Sequence, residues 1–140
     1  MIQGGFDARG RPLVRAEVNS RFFQAPGSVA FLVDTGAFNT IIMPGDSGKF
    51  GVDFLQFTAP AQSIQIGGGI VYGYPIGAEI ELTYQGVVYT YYADIIIVDP
   101  LRKNTHSNIL GQTVWSRWGL HLNPSLFEID PLKPDLKTPP

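Results

Sequence analysis

The sequence predicts an all-β protein with one short α-helix near its C-terminal end. Short apolar runs rich in β-branched and aromatic residues recur along the 140 residues, and glycines and prolines separate them. Only residues 112–120 space their apolar side chains as a helix would. Many short strands of this kind are typical of a barrel or a sandwich. A chain of this length suits a single domain with a buried core.

The composition excludes several kinds of site and argues against some partners. The chain contains no cysteine, which excludes disulfides, thiolate catalysis and cysteine-ligated zinc. Its two histidines make a poor metal site, so we expect neither a metal nor a cofactor. The net charge is -2, without a basic block or an acidic run, and this argues against nucleic acid as the main partner.

The apolar runs and the N-terminal residues bear on location. No apolar run approaches the roughly 20 residues of a membrane-spanning helix, so we expect no membrane span in this chain. The first residues lack the charged region and the apolar core that are typical of a signal peptide. We therefore expect a cytoplasmic location, for a chain that could also be a fragment of a longer protein.

The first half of the chain predicts short strands that end in turns. Residues 12–18 alternate apolar and polar side chains, which predicts a strand with one exposed face. Residues 29–33 are continuously apolar and predict a buried strand, and residues 40–43 predict a second short apolar strand. Residues 44–60 predict a loop with at most one weak turn of helix.

The second half predicts a hairpin, two long strands, the helix and a tail. Gly67, Gly68 and Gly69 form the predicted hairpin tip, and the alternative is an ordinary glycine turn. The remaining elements are strands at residues 78–84, 87–98 and 126–129, and the helix at 112–120. Four prolines after residue 130 predict a tail without regular structure. We therefore place a domain at residues 1–130 and a Pro-rich C-terminal tail at residues 131–140.

The predicted buried strand at residues 29–33 runs directly into Asp34, Thr35, Gly36 and Ala37. A carboxylate at the mouth of a buried strand is costly unless hydrogen bonds satisfy it. Thr35 offers a hydroxyl group, and Gly36 lets the backbone turn tightly and another group approach closely. Such a carboxylate, held at a rigid and partly dry position, is suited to acid–base chemistry. The alternative is a strand end followed by an Asp-initiated turn.

Two stretches together resemble the retropepsin-like aspartic proteases, a family of homodimeric enzymes with one D-T-G per chain. The stretch FLVDTGA at residues 31–37, with Thr40 six residues after the acid, is similar to the family's active-site strand. The stretch NILG at residues 108–111, followed by a predicted helix, is similar to its second signature. The glycine-tipped hairpin falls between them, where the family has its flap. Order and spacing agree over roughly residues 12–125.

The resemblance implies a retropepsin-like closed β-barrel, the acid-protease lobe, and an aspartic endopeptidase. These enzymes use two carboxylates that share one proton. One carboxylate activates a water, and the protonated one polarises the peptide carbonyl. This chain has one D-T-G, so the resemblance implies a homodimer in which Asp34 of each chain meets across a twofold axis. The other partner is a peptide or protein substrate.

The resemblance also implies roles for the residues around Asp34, the catalytic acid. Thr35 would brace the acid pair across the axis, Gly36 would approach the water and the substrate, and Ala37 would line the cleft. The substrate-binding residues that it implies, in the flap tip and the cleft wall, are Phe38, Gly67, Gly68, Gly69 and Ile109.

The chain departs from retroviral members of the family at three positions near the cleft. Those members have acids and an arginine where this chain has Phe38, Asn39 and Gln112, so their side-chain specificity does not carry over. Phe38 indicates a more apolar subsite, and a cellular or retroelement-derived member is favoured. The alternative function is a catalytically silent peptide-binding or dimerisation module on the same fold.

The chain ends are the expected dimer contacts. In the family the termini pair into a sheet between subunits, so we expect contacts from residues 12–18 and from the apolar segment at 126–129. The alternative is that residues 126–129 fold back onto their own chain.

Overall fold

The protein is described by a computed structural model that covers residues 1–102 and 106–139. Strands make up 51% of it and helical segments 10%, which confirms a mostly β chain with only short helices. Two four-residue helices are α1 (Pro44–Ser47) and α2 (Gln112–Trp115), and 3-10 turns cover Gly48–Phe50 and Phe54–Gln56. The strands are β1 (Ile2–Gln3), β2 (Gly5–Phe6), β3 (Pro12–Asn19), β4 (Gly27–Val33), β5 (Ile41–Ile42), β6 (Gln62–Ile66), β7 (Gly69–Tyr84), β8 (Val87–Val98), β9 (Ile109–Leu110), β10 (Gly119–Asn123), β11 (Leu126–Asp130) and β12 (Leu136–Thr138).

The strands form a small sheet and a large one. The small sheet has the order β1-β11-β10 and is antiparallel throughout. Among the described residues the large sheet has nine strands, in the order β12-β8-β5-β9-β4-β3-β7-β6 with β2 paired to β3. Along the whole of β8, β7 pairs with it as well. The hydrogen-bonded path from β8 through β5, β9, β4, β3 and β7 therefore returns to its first strand.

Two parallel pairings bring the sequence motifs together. β9 pairs in parallel with β4, with Val33 opposite Leu110, and β5 pairs in parallel with β8. Because the ends of parallel neighbours lie at the same edge of a sheet, Asp34 and Gly111 leave adjacent strands side by side. Residues 77 apart in sequence thus meet through sheet pairing.

Buried side chains form a main core and a smaller one. On β3, Val14, Ala16 and Val18 are buried while the residues between them are exposed, as the alternating pattern predicts. The main core also contains Phe31, Tyr91 and other large apolar side chains. The members of the smaller core are Ile41, Met43, Val71, Ile96, Val98 and Ile109.

Most predicted strands are confirmed, some with longer bounds. The strands predicted at residues 12–18, 29–33 and 126–129 are β3, β4 and β11, and the one predicted at 87–98 is β8. The turn between β7 and β8 has φ of 50° at Gln85 and 74° at Gly86, which suits a two-residue hairpin. The hairpin predicted around residue 68 is also present, as β6 paired with β7.

The helix predicted over residues 112–120 is wrong beyond residue 115. Tighter turn bonds follow α2, from Arg117 N to Val114 O and from Trp118 N to Trp115 O. β10 then begins at Gly119, opposite Asp130. Pairing with β11 therefore overrides the helical spacing of the apolar residues.

Residues 44–60 contain more helical structure than the single weak turn predicted. Pro44 begins α1, a position where its fixed φ suits a helix and its missing N–H costs nothing. The Asp53 side chain accepts a hydrogen bond from Leu55 N at 3.1 Å and caps the second 3-10 turn.

The prediction that residues 131–140 lack regular structure is wrong for β12. This strand pairs antiparallel with β8, and its prolines lie outside the paired residues. Asp135, the residue before β12, binds β8 through two hydrogen bonds. Its N–H donates to Thr90 O at 2.9 Å, and its Oδ2 accepts from Tyr92 N at 2.7 Å. Arg117 pairs with the same carboxylate.

The expectation that residues 126–129 supply an intersubunit sheet is wrong, because β11 lies between β1 and β10 of its own chain. β3 pairs with β4 along one side and with β2 and β7 at the two ends of the other, and the expected dimer contact at residues 12–18 stays a prediction. Phe127 and Ile129 are buried in the chain's own core. The alternative, that residues 126–129 fold back onto their own chain, is the one observed.

Candidate active site

Asp34 lies directly after β4 in a tight hydrogen-bonded turn. Its N–H donates to Leu110 O at 3.2 Å, which ties it to β9. Its Oδ1 accepts from Gly36 N at 2.9 Å, and its main-chain oxygen accepts from Ala37 N at 3.2 Å. This is an Asp-initiated turn, in which the backbone of the turn itself binds Oδ1. The Asp-initiated turn, the alternative interpretation of the sequence, is therefore the observed local geometry, and the acid–base role of the carboxylate stays a prediction.

The first turn of α2 holds the loop after Asp34. Gln112 N donates to Ala37 O at 2.9 Å, and Thr113 N donates to Phe38 O at 3.1 Å. The first N–H groups of a helix have no partner within it. Here the acceptors come from residues 34–39, which we call the acid loop. The loop and α2 consequently form one rigid unit.

Thr40 and Gly111 close this unit from behind. Thr40 is fully buried; its Oγ1 lies 2.9 Å from Thr113 Oγ1 and accepts from Gly111 N at 3.0 Å. A Cβ at Gly111 would lie 2.6 Å from Phe38 O, so the two backbones are too close for any side chain. The glycine of the I-L-G stretch is therefore required by close approach rather than by its φ.

Trp115 reaches Asp34 from α2. Its indole Nε1 donates to the main-chain oxygen of Asp34 at 3.1 Å. Sequence analysis did not assign Trp115 to the site, because its spacing indicates only a helix face. No local signal reports a contact between residues 81 apart.

A cleft of about 350 Å³ lies between the acid loop and the β6–β7 hairpin. We call this hairpin the lid. The lid turns through Gly67 and Gly68, with Ile66 opposite Gly69. Among the predicted site residues, those that line the cleft are Asp34, Gly36, Ala37, Phe38, Gly67 and Ile109.

Three predicted site residues do not line this cleft. Thr35 borders a second groove on Asp34, together with Arg11 and Leu122. Gly68 packs against the side chain of His106, and a Cβ at Gly68 would lie 2.8 Å from His106 Nδ1. Gly69 begins β7 with a φ of 132°, which only glycine adopts readily.

Several cleft residues were not predicted. Ile64 and Ile66 alternate on β6 and face the cleft, and the period of two in that strand is the signal that could have identified them. Asn39 and Gln65 add amide groups. Phe38 is 65% exposed, so the loop presents an aromatic ring without burying it.

Asp34 is the only charged residue among the described residues that line the cleft. The remaining lining is apolar or amide in character, which suits an uncharged ligand. Within residues 1–102 and 106–139 no group of three or more His, Asp or Glu side chains is placed to hold a metal ion. In the same part of the chain, no helix has the length and apolar character to cross a membrane.

Two carboxyl groups on the large sheet and at β12 have shifted pKa values. Burial raises the pKa of Glu81, and the carboxylates of Glu79 and Glu17 raise it further. The hydrogen bond from Tyr92 N lowers the pKa of Asp135, and Arg117 adds to that effect. The raised pKa of Glu81 bears on the stability of the large sheet, and the lowered pKa of Asp135 bears on the attachment of β12.

A wider groove of about 720 Å³ includes no residue of the acid loop. It runs from the end of β3 to the middle of β7 and β8, and its charged residues are Arg21, Glu79 and Asp94. None of these groups is held in a turn comparable to that of Asp34. The smaller cleft is therefore the candidate site.

Comparison with known proteins adds no family to this description. No protein-family model matches the chain, and no curated protein matches it. The site is therefore interpreted from its own residues and geometry.

Proposed function

We propose that the protein is an aspartic endopeptidase of the retropepsin-like type, active as a homodimer. The observation that carries the proposal is the geometry of Asp34. A single acid ends a buried strand, its turn is fixed from behind by β9 and α2, and it faces a cleft under a glycine-tipped lid.

The path of strands that returns to its start supports a closed acid-protease lobe. It joins the D-T-G strand, the I-L-G strand and the strand that continues into the lid. These three elements are the ones that the sequence resemblance links. The proposed lobe therefore accounts for the order of the motifs and for their contacts.

Two carboxylates are required for the proposed reaction. One Asp34 carboxylate removes a proton from a water, whose oxygen attacks the carbonyl carbon of the substrate peptide. The protonated Asp34 of the second copy donates a hydrogen bond to the carbonyl oxygen. The tetrahedral adduct then breaks its C–N bond as the amine accepts a proton, which leaves one new carboxyl group and one new amine.

A second copy is needed because the described cleft contains one acid. β10 is an edge strand of the small sheet, and Leu122 on it shares a groove with Asp34 and Thr35. Leu122 is 50% exposed. Pairing of two β10 edges would place the two acid loops together, so we propose this edge for the dimer.

The cleft indicates an extended, largely apolar peptide as substrate. Phe38, Ile64, Ile66 and Ile109 offer apolar contacts, and the amides of the cleft can bind a peptide backbone. Asp34 would repel an acidic side chain near the scissile bond. The lid would exclude water once the peptide is bound.

A peptide-library assay with wild type and Asp34→Asn tests the proposal. We expect cleavage by wild type and a loss of roughly a thousandfold in the variant, because general acid–base catalysis is removed. Asp94→Asn changes an exposed acid on β8 and serves as the matched control. Activity should survive metal chelators, and loss on chelation with recovery on adding zinc would contradict the mechanism.

The second candidate is a catalytically silent peptide-binding or dimerisation module. The observation that favours it is the single cleft acid of the isolated chain. In the same assay, saturable peptide binding without cleavage, unchanged in Asp34→Asn, would support this candidate.

A further inference from the structure

The two tryptophans of the chain lie three residues apart and differ in their indole N–H groups. Trp115 Nε1 donates to the main-chain oxygen of Asp34 at 3.1 Å. Trp118 is 6% exposed and packs edge-on against Tyr91, and no hydrogen bond joins its Nε1 to Asp34 in the described part of the chain. Because only one of the two indoles binds the acid loop, the two positions make a natural comparison.

The main chain of Asp34 is held on both sides by other elements. Its N–H donates to Leu110 O, and its carbonyl oxygen accepts from Ala37 N and from Trp115 Nε1. These two donors use both lone pairs of the carbonyl. The Ala37 bond lies within the loop and moves with it, whereas the Trp115 bond ties the carbonyl to α2.

We propose that Trp115 is a positioning residue for the acid pair. Its indole N–H fixes the peptide plane between Asp34 and Thr35 and so sets where the carboxylate stands relative to that of a second copy. Trp115 does not line the cleft, so it acts through Asp34 and not on the substrate. The catalytic consequence rests on the proposed function, but the anchoring of the loop does not.

Carboxylate spacing determines how the pair titrates. Two close carboxylates that share a proton lose their two protons at well separated pH values, and the separation shrinks as they move apart. In the grooves that Asp34 borders, the other charged residue is Arg11, whose Nε binds Asp7 Oδ2 at 2.7 Å. If the hydrogen bond from Trp115 is lost and the two carboxylates move apart, the acid and alkaline limbs of the pH–rate profile should therefore come closer together.

Trp115→Phe and Trp118→Phe provide a matched pair, because each removes the same atoms from the same short segment. We expect kcat to fall about fivefold to tenfold in Trp115→Phe, as for one lost hydrogen bond, with KM unchanged. Its pH–rate profile should narrow, while that of Trp118→Phe keeps the width of wild type. Benzothienylalanine at position 115, in the Trp118→Phe background, keeps the ring shape without the N–H and should reproduce the narrowing.

Amide hydrogen exchange tests the anchoring without relying on activity. Trp115→Phe should raise the exchange rates of Gly36 and Ala37 about tenfold, the change expected from one lost hydrogen bond, and Trp118→Phe should not. Equal exchange at these amides in both variants, or equal narrowing of both pH profiles, would overturn the inference. If the wild type had no peptidase activity but the two variants still differed in amide exchange, the proposed function would be refuted and the anchoring by Trp115 would stand.

Discussion

The imidazole of His106 lies against Gly68 at the tip of the lid, so that a Cβ at residue 68 would be 2.8 Å from His106 Nδ1. At the neighbouring Gly67, a Cβ would meet no described atom within 4 Å. A second contact joins the lid to the same connection between β8 and β9, where the Arg102 guanidinium lies 5.0 Å from the centroid of the Tyr72 ring. The lid position therefore depends on residues outside the hairpin.

Gly68→Ala should displace the lid tip and impair turnover more than folding. The clash involves the end of a side chain, so we expect a shift of the tip rather than unfolding. Gly77→Ala, on β7 and outside the cleft, meets no described atom within 4 Å and is the control that should leave kcat/KM close to wild type. We expect about a tenfold loss in kcat/KM for Gly68→Ala, because misplaced closure weakens substrate positioning. A peptide-cleavage assay with thermal unfolding of each variant measures both effects.

The double variant Gly68→Ala/His106→Ala tests the cause of that loss. Removing the imidazole should restore much of the activity, since the introduced methyl group then has space. If Gly77→Ala and Gly68→Ala had the same kcat/KM, or if stability collapsed while turnover was unchanged, the hairpin would be a structural turn and not a lid.

Gly111→Ala should destabilise the whole acid loop. The new Cβ would lie 2.6 Å from Phe38 O, and backbone atoms cannot move aside as a side chain can. We expect the free energy of unfolding to fall by about 2 kcal/mol or more, the cost of overpacking at a rigid contact. Gly77→Ala on β7 meets no described atom within 4 Å and should change stability by less than about 0.5 kcal/mol. Denaturant unfolding of the two variants provides the comparison, and similar losses would show that this contact is not tight.

Much of the fold could be predicted because its signals are local. Residues 12–18 alternate with period two, and the run before Asp34 is continuously apolar, so β3 and β4 follow from pattern. The hairpin turns follow from glycine positions. These elements need no knowledge of distant partners.

The features that were missed depend on contacts far apart in sequence. β12 forms because Asp135 meets Tyr92, 43 residues earlier, and Arg117. Trp115 meets Asp34, and α2 ends early because Gly119 pairs with Asp130. Propensity and period report none of these contacts, so the tail, the end of the helix and the support behind the acid required the structure.

Glu81→Gln should stabilise the protein at neutral pH and have no effect in acid. Glu81 lies directly opposite Glu17, and burial together with Glu79 and Glu17 raises its pKa. A folded-state pKa above the unfolded value means that the ionised group destabilises the fold above that pKa. This cost disappears as the pH falls through the folded pKa and below 4.5.

The expected gain at pH 7 is small, about 0.5 kcal/mol, because the group is largely solvated. Thermal unfolding of wild type and variant from pH 3 to pH 8 measures it. Glu128→Gln, opposite Gln3 and His121, is the control and should show no comparable gain. A constant difference at every pH would mean that charge is not the cause.

Leu122→Asp should weaken the proposed dimer without disturbing the chain fold. Leu122 is 50% exposed on the β10 edge and borders the groove that contains Asp34, so two copies paired there would bring the introduced charges together. We expect the dimer dissociation constant to rise at least about tenfold, since like charges at an interface oppose association. Leu55→Asp, at a side chain that is 94% exposed on a 3-10 turn, is the control. Sedimentation velocity measures both, and equal dissociation constants would place the interface elsewhere.

Specific activity measured against protein concentration, with sedimentation of the same samples, tests most directly whether two copies of Asp34 form the catalytic pair. One chain supplies one cleft acid, so a monomer cannot share a proton between two carboxylates however well it folds. Activity per chain should fall as dilution passes the dimer dissociation constant and should return on reconcentration. In Leu122→Asp this fall should begin at a higher protein concentration. Activity per chain that stays constant down to concentrations where only monomer sediments would contradict the mechanism itself.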